Sequence, residues 1–154
     1  MIYADPSFLC SLYGWDDNTS TAHKVYAQDG RRPLFFTPWQ RFEVRNAIRL
    51  AAYKLRRVRL AVPFQVGNVF KRMDEDIAAG RLKHEDPDWR ENFRLAEELS
   101  AEHTEAIGSA SVDLWHVASA VRLRADAFWT FDGDQRTLAA AVRKFRSVPS
   151  LATA

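Results

Sequence analysis

The chain is poor in the residues that build disulfide scaffolds and zinc centres: of 154 residues, one is cysteine, Cys10, and four are histidine. A lone cysteine closes no internal disulfide, which predicts a reducing, cytoplasmic setting. Apolar runs never exceed a handful of residues, so no membrane-spanning helix and no membrane partner are expected. The opening Met1-Ile2-Tyr3-Ala4-Asp5 lacks a basic stretch, which argues against a secretory leader. Repeats, low-complexity tracts and linkers are also missing, and the length suits one domain spanning 1–154. What is present is ordinary: 47% hydrophobic and 27% charged residues exclude the disordered, collagenous and fibrous classes.

The net charge of +2 does not by itself point to nucleic acid, but its distribution is uneven. Between Pro38 and Leu60 seven bases stand against one acid, Glu43, for a local balance of +6. Between Glu85 and Glu105 eight acids stand against Arg90 and Arg94, for −6. Two solvated, mutually attracting helices would explain both blocks; a basic helix that meets phosphates would explain the first more sharply.

Alternating strands and helices run along the chain. Ile2 to Ala4 is a short apolar strand; Asp5 then caps a helix whose first position is Pro6. Ser20 to Ala27 reads as a second helix. Leu34-Phe35-Phe36 is apolar on both parities of the pleat, the mark of a strand buried on both faces. Thr37-Pro38-Trp39-Gln40 is a capping box opening a helix in which Phe42, Ala47, Ile48, Ala51 and Leu55 recur at helical spacing. Pro63 to Gly80 has helical spacing at Val66, Val69, Phe70 and Met73, without boundaries that place its elements. Pro87 to Ala106 reads as a long helix with Trp89, Phe93, Ala96 and Leu99 on one stripe. Ser109 or Ser111 is expected to cap a helix that buries Leu114, Val117, Ala118 and Val121. Ala127 to Phe131 is β-rich, and Gln135 to Lys144 reads as the last helix. Strands joined through helices imply an α/β fold with a mostly parallel central sheet covered on both faces.

Four carboxylates fall where such a sheet opens its ligand crevice. Asp5 and Asp132 follow strands directly, Glu43 lies in the second turn of the basic helix, and Asp113 lies in the first turn of its own. Each has an ordinary explanation: a cap for Asp5, a turn for Asp132-Gly133, a helix N-terminus for Asp113, an ion pair for Glu43. Taken together they suit a hard divalent cation, Mg²⁺ or Mn²⁺, which relieves the mutual repulsion of gathered carboxylates. The reaction such a site supports is metal-assisted phosphodiester hydrolysis.

Three blocks of the sequence resemble the PIN-domain ribonucleases, and among them the VapC-type toxins of bacterial toxin–antitoxin pairs. They are Ile2 to Leu9 with its Asp5-Pro6-Ser7, the segment Arg41 to Ala47 around Glu43, and Asp113-Leu114-Trp115-His116-Val117-Ala118 followed by Thr130-Phe131-Asp132. The resemblance implies a PIN fold cutting RNA with Mg²⁺ or Mn²⁺ held by Asp5, Glu43, Asp113 and Asp132. It implies that the hydroxyls of Ser7 and Thr130 support the first and last acids. Asp134 is a further candidate ligand, although Thr130-x-Asp132 matches the motif and favours Asp132. An antitoxin partner and a homodimer are implied on the same ground. Pro6 departs from the usual hydroxylic residue, and Ala61 to Lys83 matches nothing in the family. Rival expectations are a catalytically silent PIN-like binding module and an RNA-maturation nuclease without antitoxin.

Other residues are weighed individually. Arg41, Arg45 and Arg49 form one stripe, and Arg41 or Arg45 is favoured for phosphate contact. His116 sits in an apolar run, so a packed histidine hydrogen-bonded to a neighbour is preferred to a general acid. Trp39, Trp89 and Trp115 read as core or interface anchors.

Overall fold

The structure, a computed structural model, describes residues 1–143, 145 and 146. Four strands, β1 (Ile2–Ala4), β2 (Leu34–Phe36), β3 (Leu82–His84) and β4 (Ala127–Trp129), form one sheet in the order β3-β2-β1-β4. Every pairing is parallel, with Tyr3 opposite Phe35 on one side and Phe128 on the other. The helices are α1 (Pro6–Tyr13), α2 (Thr19–Gln28), α3 (Pro38–Arg57), α4 (Val66–Ala78), α5 (Trp89–Ile107), α6 (Ser111–Arg122) and α7 (Gly133–Val142). The expected α/β architecture is the observed one.

The apolar strands bury both faces because alternate residues serve different cores. Ile2, Ala4, Leu34, Phe36 and Trp129 pack with Phe8 of α1, Val25 of α2, Ile48 of α3 and Met73 of α4. Tyr3, Phe35 and Phe128 point the other way, onto Leu99 of α5, Val117 of α6 and Leu138 of α7. From β1 the sheet grows outward through β2 to β3, then the chain returns to place β4 on the other flank of β1. The switch point therefore falls between β1 and β4, where a parallel sheet opens a crevice at its carboxyl edge. Helices α1, α3 and α7 start at that edge, each leaving a strand end, and α6 starts there because it runs back to feed β4.

Local chemistry fixes the starts and stops. Asp5 Oδ1 accepts from Phe8 N at 2.9 Å and caps α1. Thr37 and Gln40 complete the expected capping box of α3, and Gln40 Nε2 also donates to Ala4 O at 2.6 Å, pinning that helix to β1. Helix α1 stops at Gly14, whose N–H donates to Cys10 O. A Cβ at that position would lie 2.6 Å from the same carbonyl oxygen, so the stop requires glycine.

Several expectations differ from what is observed. The buried stripe of α3 is Gln40, Val44, Ile48 and Ala52, spaced by four, and Phe42 is 62% exposed. The bond from Gln40 to Ala4 O fixes the inward face of the helix, and Phe42, two residues on and about 200° around the helix, turns outward. On α5, Asn92 and Leu99 are buried, whereas Trp89 and Phe93 are exposed and pack at tilted angles against Trp115. Val121 of α6 is half-buried, while Trp115, His116 and Ser119 are buried. The N-cap of α6 is Ala110, with no side-chain cap; Asp113 instead reaches back to Ala110 N. Helix α7 begins at Gly133, two residues early, and Lys144, its expected end, lies outside the described residues. The unplaced stretch contains α4, and β3 follows it with only Leu82 buried.

Candidate active site

Asp5 is the deepest of the four acids, 3% exposed at the end of β1. Its backbone N–H donates to Trp129 O, which fixes it against β4. Oδ1 accepts from Phe8 N and, at 2.7 Å, from Ser7 Oγ; Oδ2 accepts from Thr130 Oγ1 at 2.9 Å. Both hydroxyls are themselves anchored to the β4 exit, since Ser7 Oγ accepts from Phe131 N and Thr130 Oγ1 accepts from Asp132 N. Ser7 and Thr130 thus latch the two strand ends together across the switch point, 3.2 Å from one another. Burial raises the Asp5 carboxyl to about 6, against the opposing pull of the hydrogen bonds from Phe8 N–H, Ser7 and Thr130.

Asp132 caps α7: its Oδ1 accepts from Asp134 N and Gln135 N, both at 2.9 Å. Asp134 is exposed in the first turn of that helix. Asp113 is half-buried in the first turn of α6, with Oδ2 accepting from Ala110 N and Oδ1 from Gln135 Nε2 at 3.4 Å. Its pKa is raised by burial, and the negative charges of Asp132 and Asp134 add to the effect. Gln135 therefore joins the Asp113 and Asp132 neighbourhoods, and its own Oε1 is buried without a hydrogen-bond partner.

Glu43 projects from the second turn of α3, half-buried. Its Oε2 lies 2.7 Å from His116 Nε2, and His116 Nδ1 lies 2.9 Å from Tyr3 OH. His116 is buried and hydrogen-bonded, in keeping with its apolar setting, but its partners are a site acid and a strand tyrosine.

The four acids thus occupy one edge of the sheet; Asp5, Asp132 and Asp113 are linked through Thr130 and Gln135, Glu43 is tied to His116 instead, and the four do not close on a common point. Among the described residues, no group of three or more His, Cys, Asp or Glu side chains is close enough to hold a metal ion. The donor chemistry nevertheless fits a hard cation. The set is all oxygen, no Lys or Arg among the described residues forms an ion pair with any of the four, and Gln135 adds an unpartnered oxygen beside two of them. Mg²⁺ keeps several waters and commonly takes only one or two protein carboxylates, so a closed cage is not needed.

The arginines divide. Arg45 is held by Asp74 at 2.5 Å and lies over the Phe70 ring, which commits it to tying α3 to α4. Arg49 also lies over Phe70. Arg41 makes no ion pair among the described residues and, with Phe42 and His84, lines an open cleft of about 320 Å³. Sequence reasoning missed Gln135, Tyr3 and Gln40 as residues that shape the site. For Gln135 a signal existed, because Asp132-x-x-Gln135 repeats the spacing of a capping box. Comparison with protein-family models and with curated proteins finds no match for the chain.

Proposed function

We propose that the protein is a metal-dependent endoribonuclease, the toxin half of a cytoplasmic toxin–antitoxin pair. One observation carries the reading: Asp5 and Asp132, 127 positions apart, are joined by the Ser7 and Thr130 hydroxyls at the sheet's switch point, with Asp113 and Glu43 on the same edge. Mg²⁺ or Mn²⁺ bound there would supply an acidified water for attack on phosphorus and positive charge for the leaving oxygen. Asp5, Glu43, Asp113 and Asp132 are the residues that would hold it, Asp5 from its buried place behind the other three. Arg41, which makes no ion pair among the described residues, is a cation available to an RNA phosphate.

The partner expectations are part of the proposal. A groove of about 370 Å³ between Trp39, Trp89, Phe93 and Trp115, continued by exposed Phe42, is apolar surface that a second copy or an antitoxin would cover. The test is RNA cleavage by purified protein with Mg²⁺ or Mn²⁺. Asp5→Asn and Asp113→Asn are expected to abolish it with the far-UV circular dichroism unchanged; undiminished cleavage by both variants defeats the assignment.

A second reading, a PIN-like RNA- or protein-binding module without catalysis, is favoured by the failure of three acids to gather. Titration calorimetry separates the two: a Mn²⁺ isotherm supports the nuclease, and its absence at millimolar Mn²⁺ supports the module.

A further inference from the structure

Tyr3, His116 and Glu43 form a line of hydrogen bonds from the centre of the sheet to its functional edge. Tyr3 is fully buried in β1, His116 is 2% exposed in α6, and Glu43 is the half-buried end of the line on α3. The chemistry of the two ends dictates the state of the middle. An ionised carboxylate only accepts, so the 2.7 Å contact with Glu43 Oε2 requires a proton on His116 Nε2. In the neutral ring Nδ1 is then an acceptor, and the Tyr3 hydroxyl 2.9 Å away is the donor it faces. Tyr3 keeps its proton, because burial pushes its ionisation far above the ordinary phenol range.

Resting on the nuclease reading for its consequence, we propose that His116 is a positioning residue for Glu43, held in the Nε2–H tautomer by the Glu43 carboxylate, with the Tyr3 hydroxyl facing Nδ1 from the other side. The Nε2–H bond takes Glu43 Oε2 and so sets the plane of the carboxylate, leaving Oε1 as the oxygen turned to a ligand. Among the described residues no hydrogen bond holds Oε1, while His116 is the one partner that holds Oε2. A flexible glutamate carries several rotatable bonds; a single short bond to a ring that packing cannot rotate removes most of that freedom before any ligand arrives. The line also joins three elements, β1, α6 and α3.

The test begins on metal-free protein. Long-range ¹H–¹⁵N correlation of the imidazole is expected to show Nε2 protonated and Nδ1 bare in the wild type and in Tyr3→Phe, and a mixture of tautomers in Glu43→Ala. An Nδ1-protonated ring in the wild type, or an unchanged pattern in Glu43→Ala, overturns the proposal. Mn²⁺ affinity is the second readout. His116→Ala is expected to weaken binding about 10–100-fold, His116→Gln, which returns an N–H donor near the Nε2 position, to recover part of that loss, and Glu43→Gln to make the His116→Ala change silent. Equal losses in His116→Ala and His116→Gln, or full additivity with Glu43→Gln, mean that His116 acts only through packing and refute the positioning role. If the wild type binds no Mn²⁺ and cleaves no RNA, the nuclease reading fails by itself, and the tautomer readout still decides whether His116 is locked as stated.

Discussion

Asp5→Asn is expected to make the protein more stable and inactive at once. A carboxylate 3% exposed holds its proton more tightly folded than unfolded, with the folded value at about 6 against an ordinary 3.8. The folded state therefore binds more protons between these values, so this group's contribution to stability is full below pH 3.8 and is lost as pH rises through about 6. At roughly 1.4 kcal/mol per pH unit, the interval amounts to a cost of about 3 kcal/mol at neutral pH. Asparagine removes that cost and keeps most of the bonding. Its Oδ1 still accepts from Phe8 N and Ser7 Oγ. Its Nδ2 must donate to Thr130 Oγ1, which already accepts from Asp132 N and now turns its own hydrogen elsewhere, a loss of about 1 kcal/mol. The net expectation near pH 7.5 is a gain of about 2 kcal/mol.

The assay is urea unfolding with a chelator present, wild type against Asp5→Asn, at about pH 4, 5, 6 and 7.5. The difference between the two proteins isolates Asp5 from the other carboxylates that titrate in the same range. It should be near zero or favour the wild type at about pH 4, and grow in favour of the variant up to about pH 7. An asparagine variant that is less stable near pH 7.5, or a difference that does not change with pH, refutes the argument that this acid is a buried liability. Mn²⁺ added near pH 7.5 is expected to stabilise the wild type and to narrow or reverse the gap, because a ligand that binds only the folded, ionised state raises its stability by mass action.

Arg41→Ala should weaken RNA binding and lower the salt dependence by about one ion, whereas Arg45→Ala should leave RNA binding nearly unchanged and instead lower the melting temperature, since Asp74 and Phe70 already engage Arg45. Fluorescence anisotropy at several salt concentrations reads the first effect and thermal unfolding the second. Gly14→Ala should cost about 1–3 kcal/mol in urea unfolding, because its Cβ would sit 2.6 Å from the Cys10 carbonyl oxygen and backbone must move. Gln40→Ala should cost about 2–4 kcal/mol by the same measurement, since it strands Thr37 N and Ala4 O in the interior.

The fold was legible where one local rule acts alone. Leu34-Phe35-Phe36 is apolar on both parities and lies in the middle of the sheet; Thr37-Pro38-Trp39-Gln40 carries its cap in the spacing. Helix α4 and strand β3 were not legible for opposite reasons. Gln65, at the α4 N-cap, makes no side-chain cap bond, so its helical spacing lacks a boundary. In Leu82-Lys83-His84 only the first residue is buried, so an edge strand carries almost no apolar signal. The inward face of α3 was misread because aliphatic and aromatic residues were assumed to point inward. Gln40 takes one of those interior places instead, for the sake of two backbone groups that need it.

The candidate site shows the same division between local and long-range information. Asp5 and Asp132 could be read because each stands where a strand ends, a position defined within a few residues, whereas Ser7 and Thr130 came only from the resemblance of their blocks to the PIN-domain ribonucleases. The partners of Glu43 and Asp113 could not, because His116 is 73 positions from Glu43 and Gln135 is 22 from Asp113, and only the crossover of β4 to the far side of β1 brings them together. The ordinary explanations of the acids, a cap for Asp5 and a turn for Asp132, also hold in part: each gives Oδ1 to backbone N–H groups of the helix it starts. Capping is not a rival to a chemical role. A carboxylate whose first oxygen is tied to a helix N-terminus has lost its rotational freedom, and its second oxygen points wherever the helix directs it. For Asp5 that direction is the Thr130 hydroxyl, which in turn holds the backbone of Asp132, so the bond that starts α1 helps to set the orientation of the acid that starts α7.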